Sequence, residues 1–345
     1  DTYHYRAAGM TYHEYYHSYQ WIRGQEYDPY RSQPPQRNLD DYVNDNYDDL
    51  WRGRVAQFLT NTDGFANATQ WFAPQLTNMT SQWLRANRSH EKILFWMDSF
   101  DPHEPWDPPS WYVDKYDPGY TGEVVSFPKY DYWETFLTPE ELRHSHALYC
   151  GEVSMVDRWF GEIISTADSL NLWDDTAIIF MSDHGYYFGE YGLIGKAIMV
   201  EDQPAHPFPL HPAVNHLPLI AHIPGTTFAG QQVTGFVQPQ DFMPAILELA
   251  NATDTGTMHG KSFLPLVRDE IKQIRPAAIS SHSIVAPVVG RPSTIVTEEW
   301  TLIMGAPETI NTPRRTEGMP GGSGVNVLGH QRPPLRIEEP GDYAI

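Results

Sequence analysis

Three short apolar runs constrain this chain more than any other feature of its sequence. Residues 93–97 run into Asp98 and Asp101, and residues 176–181 run into Ser182-Asp183-His184-Gly185. A third run, 217–223, is closed by Pro224-Gly225. A short, continuously apolar segment is the pattern of a strand buried on both faces of a parallel sheet, and acidic residues at its carboxyl end lie where ligands of open α/β sheets collect. All three runs fall far short of the ~18 residues that a membrane span needs. The expected class is therefore α/β, a central, mostly parallel sheet flanked by helices.

Helices are expected over 40–59 and 65–88, the second carrying Phe65, Trp71, Phe72, Leu76, Met79, Trp83 and Leu84 at mostly three-and-four spacing. Thr138-Pro139-Glu140-Glu141 is a capping box with proline at the first helical position, and it opens a long helix ending near Leu170. Residues 242–250 read as a further helix. Beyond about residue 275 the pattern turns to short β-like segments at 277–279, 293–297 and 301–304. Residues 1–270 are accordingly expected to form the α/β domain, and 271–345 a smaller C-terminal part with β structure and an irregular tail. Residues 1–37 read as loop. Residues 102–137, crowded with proline, tyrosine and tryptophan, read as a long ordered loop, a lid or a binding wall.

The chain has 345 residues, 41% of them hydrophobic, enough for a substantial core. Its 23 basic residues against 44 acidic ones give a formal charge of -21, which argues against nucleic acid and anionic membrane surfaces as partners. The same charge favours a small or sparsely charged anionic substrate over a large polyanion. One cysteine, Cys150, excludes a disulfide within the chain and any cysteine-based metal site. It falls in the long helix and reads as a small core residue.

Asp183 and His184 follow directly on an apolar run, as a pair suited to a divalent cation or as ordinary turn residues before a glycine. Lys196, eleven residues after Gly185, follows Gly189, Gly192 and Gly195; it reads as an ammonium placed to reach an anion or as a solvated surface lysine. His103, between Pro102 and Pro105, is a positioned acid or anion contact, or a ring packed among the lid aromatics. His206, His211 and His216, interleaved with prolines, read as a stiffened loop rather than a metal tract. His4 carries no signal of its own.

Taken in order, Asp101-Pro102-His103-Glu104-Pro105, Ser182-Asp183-His184-Gly185, Gly189-Glu190 through Gly195-Lys196, and His216-Leu217-Pro218-Leu219-Ile220 with Pro224-Gly225 resemble the sulfatase family of the alkaline phosphatase superfamily. Weaker similarity extends this to about residues 1–305. The resemblance implies the sulfatase/alkaline phosphatase-like fold and hydrolysis of a sulfate ester to alcohol and sulfate. It also implies a formylglycine nucleophile made from cysteine in a Cys-x-Pro/Ala-x-Arg motif, and a divalent metal, calcium in the family. Asp183 and His184 match the later metal pair, and Lys196 a sulfate contact. His103 matches a sulfate contact or the acid for the leaving alcohol. Asp1-Thr2-Tyr3-His4 aligns with a Gly-Lys-Trp-His motif, which makes His4 the partner of the formylglycine hydroxyl and replaces the motif's lysine with Thr2.

Two family features are missing: the Cys-x-Pro/Ala-x-Arg motif and the paired aspartates that precede it. The expectation is a truncated sequence, inactive or nearly so by itself, with its nucleophile in an N-terminal segment outside this chain and with unpaired sheet edges where that segment packs in the family. The substrate expected is a small-molecule, carbohydrate or aryl sulfate ester. A phosphonate monoester or phosphodiester hydrolase is the alternative, and a catalytically inactive binding module on the same scaffold is a third reading. The compartment and oligomeric state are left open.

Overall fold

The structure, a computed structural model, describes residues 12–197, 210–226, 230–253, 256, 258–281, 293–304 and 336–338. His4, His206 and the glycine- and proline-rich tail apart from 336–338 lie outside the described residues. The chain divides into two compact units, Asp1–Lys129 with Phe136–Leu172, and Tyr130–Thr135 with Trp173–Ile345.

The first unit is helical. Helix α1, Asp49–Asn61, starts later than its apolar pattern suggests because Asp48 supplies the N-cap, its carboxylate accepting the Trp51 N–H at 2.8 Å. Helix α2, Phe72–Asn87, likewise starts late, since Asn67 and Gln70 close a capping box over the short turn Ala68–Gln70. After the short helix α3, Ser110–Val113, the long helix α4 spans Pro139–Ser169 and opens on the reciprocal Thr138 and Glu141 bonds expected of its capping box. Helices α2 and α4 pack together. Arg85 ties them at their ends through Thr166 (3.3 Å) and Ser169 (3.2 Å). Trp51, Val55, Phe58, Leu59, Leu148 and Met155 are buried here.

Residues 93–97 depart from the expected buried parallel strand. They form no strand, and Leu94 and Trp96 are 64% and 58% exposed. A strand exists only where another strand answers its N–H and C=O groups, and among the described residues none pairs with this run. Cys150 also departs from expectation: it is half-buried on α4 rather than in the core, and burial raises the pKa of its thiol.

The second unit carries the strands. β1 (Asp131–Tyr132), β3 (Tyr187–Phe188) and β4 (Leu193–Gly195) form one sheet in the order β1-β4-β3. β2 (Ile178–Met181) pairs with β5 (Leu219–His222), with Ile178 opposite His222 and Met181 opposite Leu219. β6 (Ala278–Ser281), β7 (Ser293–Val296), β8 (Thr301–Met304) and β9 (Arg336–Glu338) make a four-stranded meander. Every ladder among the described residues is antiparallel. β2 is half-buried along its length, because β5 is its one neighbour in that sheet. One core gathers Tyr132, Tyr187, Leu193 and Val214; another gathers Ile223, Ala245, Phe263, Leu264, Leu266 and Ile274 around helices α6 (Phe242–Leu249) and α7 (Leu264–Val267).

Candidate active site

In the second unit, the turn after β2 holds the first set of site residues. The His184 N–H donates to Asp183 Oδ1 at 2.9 Å, and the Ser182 hydroxyl donates to the His184 carbonyl at 3.0 Å, so the turn is closed on itself. Gly185 N–H donates to Val214 O (2.8 Å) and Tyr186 N–H to Ala213 O (3.2 Å), strapping the turn to the short helix α5, Pro212–Asn215. A Cβ at residue 185 would stand 2.0 Å from Ala213 O, so only glycine permits the approach.

His184 Nε2 lies 3.1 Å from Lys196 Nζ, and its Nδ1 lies 3.0 Å from Gly185 O. An ammonium can only donate. The hydrogen bonds therefore assign the proton to Nδ1, which donates to the carbonyl, and leave the Nε2 lone pair facing Lys196. Lys196 follows Gly195, whose φ of 111° and close contact with the Tyr130 ring again demand glycine. The Lys196 ammonium also sits 5.7 Å from the centre of that ring. The structure thus brings Asp183, His184 and Lys196 into one cluster at the carboxyl end of β2. It is an open one, with the Asp183 side chain 83% exposed.

A histidine that ligates a metal is neutral and has its other ring nitrogen fixed by a carbonyl or carboxylate, and His184 Nδ1 is held in that way by Gly185 O. Asp183 offers a carboxylate, and His184 becomes a second donor once Lys196 Nζ releases the Nε2 lone pair it faces at 3.1 Å. Calcium takes six to eight ligands, and no group of three or more histidine, cysteine, aspartate or glutamate side chains able to hold a metal is present among the described residues. A calcium ion here would need donors beyond these two.

In the first unit, His103 sits at the turn of the 101–107 loop. Its N–H donates to Phe100 O at 2.8 Å, its ring lies against Phe100, and its Nδ1 is 2.7 Å from Glu104 O. A carbonyl can only accept, so Nδ1 carries the proton and Nε2 is the basic nitrogen. The first unit's part of the aromatic segment is mostly packed: Trp106 and Tyr112 are buried, while Trp111 and Tyr116 remain exposed.

Sequence reasoning singled out Asp101 at the start of this loop and missed Glu152 beneath it. Asp101, Glu104 and Glu152 are buried and line a narrow cleft with His103. Asp107 pairs with Arg37. Leu148, Glu152 and Met155, all buried, fall at i, i+4 and i+7 on α4. An acid on that apolar face was the available signal.

Comparison with known proteins decides the family. The family model for sulfatases matches residues 5–252, more than half of the chain. The chain belongs to the sulfatase family. Among its relatives, this sulfatase-family chain is 34% identical over 134 residues to the multifunctional alkaline phosphatase superfamily protein PehA of Trinickia caryophylli, covering 39% of the chain and 24% of the relative. It is 26% identical over 164 residues to an N-acetylglucosamine-6-O-sulfatase of Bacteroides thetaiotaomicron, covering 48% and 27%. Among solved structures, a protein in complex with its substrate D-glucosamine-2-N,6-O-disulfate superposes with a TM-score of 0.53 at 16% identity, over 70% of this chain and 61% of that one. The phosphonate monoester hydrolase of Agrobacterium radiobacter gives 0.53 at 20% identity, over 69% and 53%. These likenesses show the shared sulfatase/alkaline phosphatase-like α/β fold. The chain spans about a quarter of the length of the two curated relatives.

Proposed function

We propose that this sulfatase-family chain is part of a hydrolase that cleaves a sulfate ester of a small molecule, a carbohydrate or an aryl alcohol. The observation that carries the reading is the cluster of Asp183, His184 and Lys196, in which an ammonium, a carboxylate and an imidazole of fixed tautomer meet at the end of β2. A divalent cation held by Asp183 and His184, calcium by family resemblance, would neutralise anion charge, and a formylglycine from a segment outside this chain would supply the attacking hydroxyl.

The chain's own residues then have these roles. Lys196 contacts a sulfate oxygen. Asp183, exposed at the mouth of the cluster, stays available to a cation. His103, with Nδ1 tied to Glu104 O, uses Nε2 to contact the anion or to hand a proton to the leaving alcohol oxygen. His4 is the partner assigned to the nucleophile's hydroxyl. By itself the 345-residue chain is expected to turn over little or no substrate.

Calorimetric titration of Ca2+ into the complete protein tests the metal pair. Asp183→Ala should abolish the binding heat; an unchanged isotherm removes Asp183 from the site. Peptide mass spectrometry of the protein from its native source tests the nucleophile by searching for a formylglycine peptide absent from this sequence. A tetrahedral phosphorus anion makes the same demands on Lys196 and the cation, and the 34% identity to a relative described as multifunctional favours offering an aryl phosphonate monoester beside the aryl sulfate.

A further inference from the structure

We propose that Asp101 and Glu152 form a buried carboxyl pair that holds a single proton, and that this proton, carried on Glu152, keeps the 101–107 loop and its His103 in place. Glu152 is 4% exposed. Its Oε1 accepts the Asp107 N–H at 3.1 Å, and its Oε2 has no hydrogen-bond partner among the described residues. An ionised carboxylate with a bare, buried oxygen is costly. Protonation takes the charge off that orphan oxygen.

The two acids are not equivalent. Asp101, 9% exposed, uses Oδ2 to accept the Ala73 N–H at 2.8 Å, in the first turn of α2, where the helix's unpaired N–H groups favour an anion. The charge therefore belongs on Asp101 and the proton on Glu152. The electrostatics agree: burial and then the Asp101 charge raise the pKa of Glu152 well above the usual carboxylate range. Burial raises Asp101 to about 6, against the opposing pull of the Ala73 N–H.

The other groups around the cleft leave this assignment intact. Glu26, Glu104 and Asp107 are acids and oppose a second negative charge. Arg37 is engaged with Asp107 and Thr62, and His103 with Glu104. α1 presents Phe58 here, followed by its C-cap Thr62, and α2 presents Phe72, preceded by its N-cap Trp71, none of them charged.

Asp101 fastens the start of the loop to α2 and Glu152 fastens its end to α4, with His103 between them. Glu152 is thus a positioning residue that does not touch substrate. The inference rests on the proposed function only for the role of His103; the proton on Glu152 stands or falls separately.

Infrared spectroscopy of the full chain at neutral pH should show the carbonyl stretch of a protonated carboxyl, lost in Glu152→Gln. An absent band in the unaltered chain overturns the pair. Asp101→Asn should lower the pH at which the band bleaches, and an unmoved midpoint overturns the coupling even if the glutamine variant fails to fold. Glutamine keeps an acceptor for Asp107 and supplies a donor, so the NMR titration of His103 should be unchanged in Glu152→Gln and displaced in Glu152→Ala. Equal displacement in both variants overturns the positioning role. Failure of the sulfatase reading would leave the infrared band untouched.

The pair also has a stability signature. A group whose folded pKa is raised contributes stability that is fully present below its unfolded value, about 4 for these acids, and is lost as pH rises through the folded value. Thermal melts of the unaltered chain should therefore decline from pH 4 through 6 and above more steeply than those of Glu152→Gln. Parallel curves overturn the assignment of the proton to Glu152.

Discussion

Ten residues separate Trp96 from Trp106, and their surroundings are opposite. Trp96 is 58% exposed on a run with no strand beside it. Trp106 is fully buried, its indole N–H donating to Pro102 O at 2.9 Å and its backbone N–H to Ser126 O at 2.8 Å. Side chains partner the loop's backbone at Asp107, where Glu152 takes the N–H and the Trp71 indole donates to the carbonyl at 2.6 Å, while the loop's own Asp101 takes the Ala73 N–H of α2. Among the described residues the apolar run has no such suppliers, and it needs a neighbouring strand. Hydrophobicity alone does not bury a segment whose peptide groups have no partners.

The largest effect expected from this contrast is at Trp106. Trp106→Ala should cost about 3–5 kcal/mol in a denaturant melt, the usual loss for a fully enclosed aromatic, while Trp96→Ala should stay within about 0.5 kcal/mol. Equal losses would erase the difference between the two tryptophans. Next comes Arg37→Met, which leaves Asp107 without its ion pair. Burial already raises the Asp107 carboxyl, and Arg37 pulls it back. Removing Arg37 raises it further, so the loss should be larger at pH 8 than at pH 5. Because the pair is partly solvated, with side chains 28% and 22% exposed, a cost of about 1–2 kcal/mol is expected at pH 8. A pH-independent loss would mean that Asp107 is held by packing alone. Smaller again, Thr138→Ala removes one arm of the α4 capping box and should cost about 1 kcal/mol.

Thr138 also marks what the sequence made legible. A capping box is local chemistry, so its residues predict a helix start that the structure then shows at Pro139. The starts of α1 and α2 were harder because apolar spacing continues upstream of the Asp48 cap and of the Asn67–Gln70 turn, and periodicity cannot tell a helix from the turn that precedes it. Run 93–97 was misread because a strand is not a local property: five apolar residues state what they would bury, not whether a partner edge exists. The same limit applies to the site. The family resemblance names Asp183, His184 and Lys196 from the order and spacing of motifs, and the structure places the three side by side. Glu152 was passed over because its function depends on Asp101 and Asp107, some fifty residues earlier, meeting it beneath the loop.

The smallest effect on stability sharpens the contrast most. Leu94 and Trp96, 64% and 58% exposed, present apolar side chains beside backbone groups with no ladder, which together invite strand pairing with another chain. Replacing both with glutamate adds charge of the sign the chain already carries, so copies repel one another more strongly at this run. The unfolding free energy should change by no more than about 0.5 kcal/mol per site, because neither side chain gives up an enclosed position. Light scattering and binding of an apolar dye should both fall. A loss of several kcal/mol would place the run inside a packed core in solution, and its kinship with the buried loop at 101–107 would then be closer than its exposure implies. Retained stability with reduced scattering would identify 93–97 as an open edge, complete in conformation and lacking only a strand to pair with.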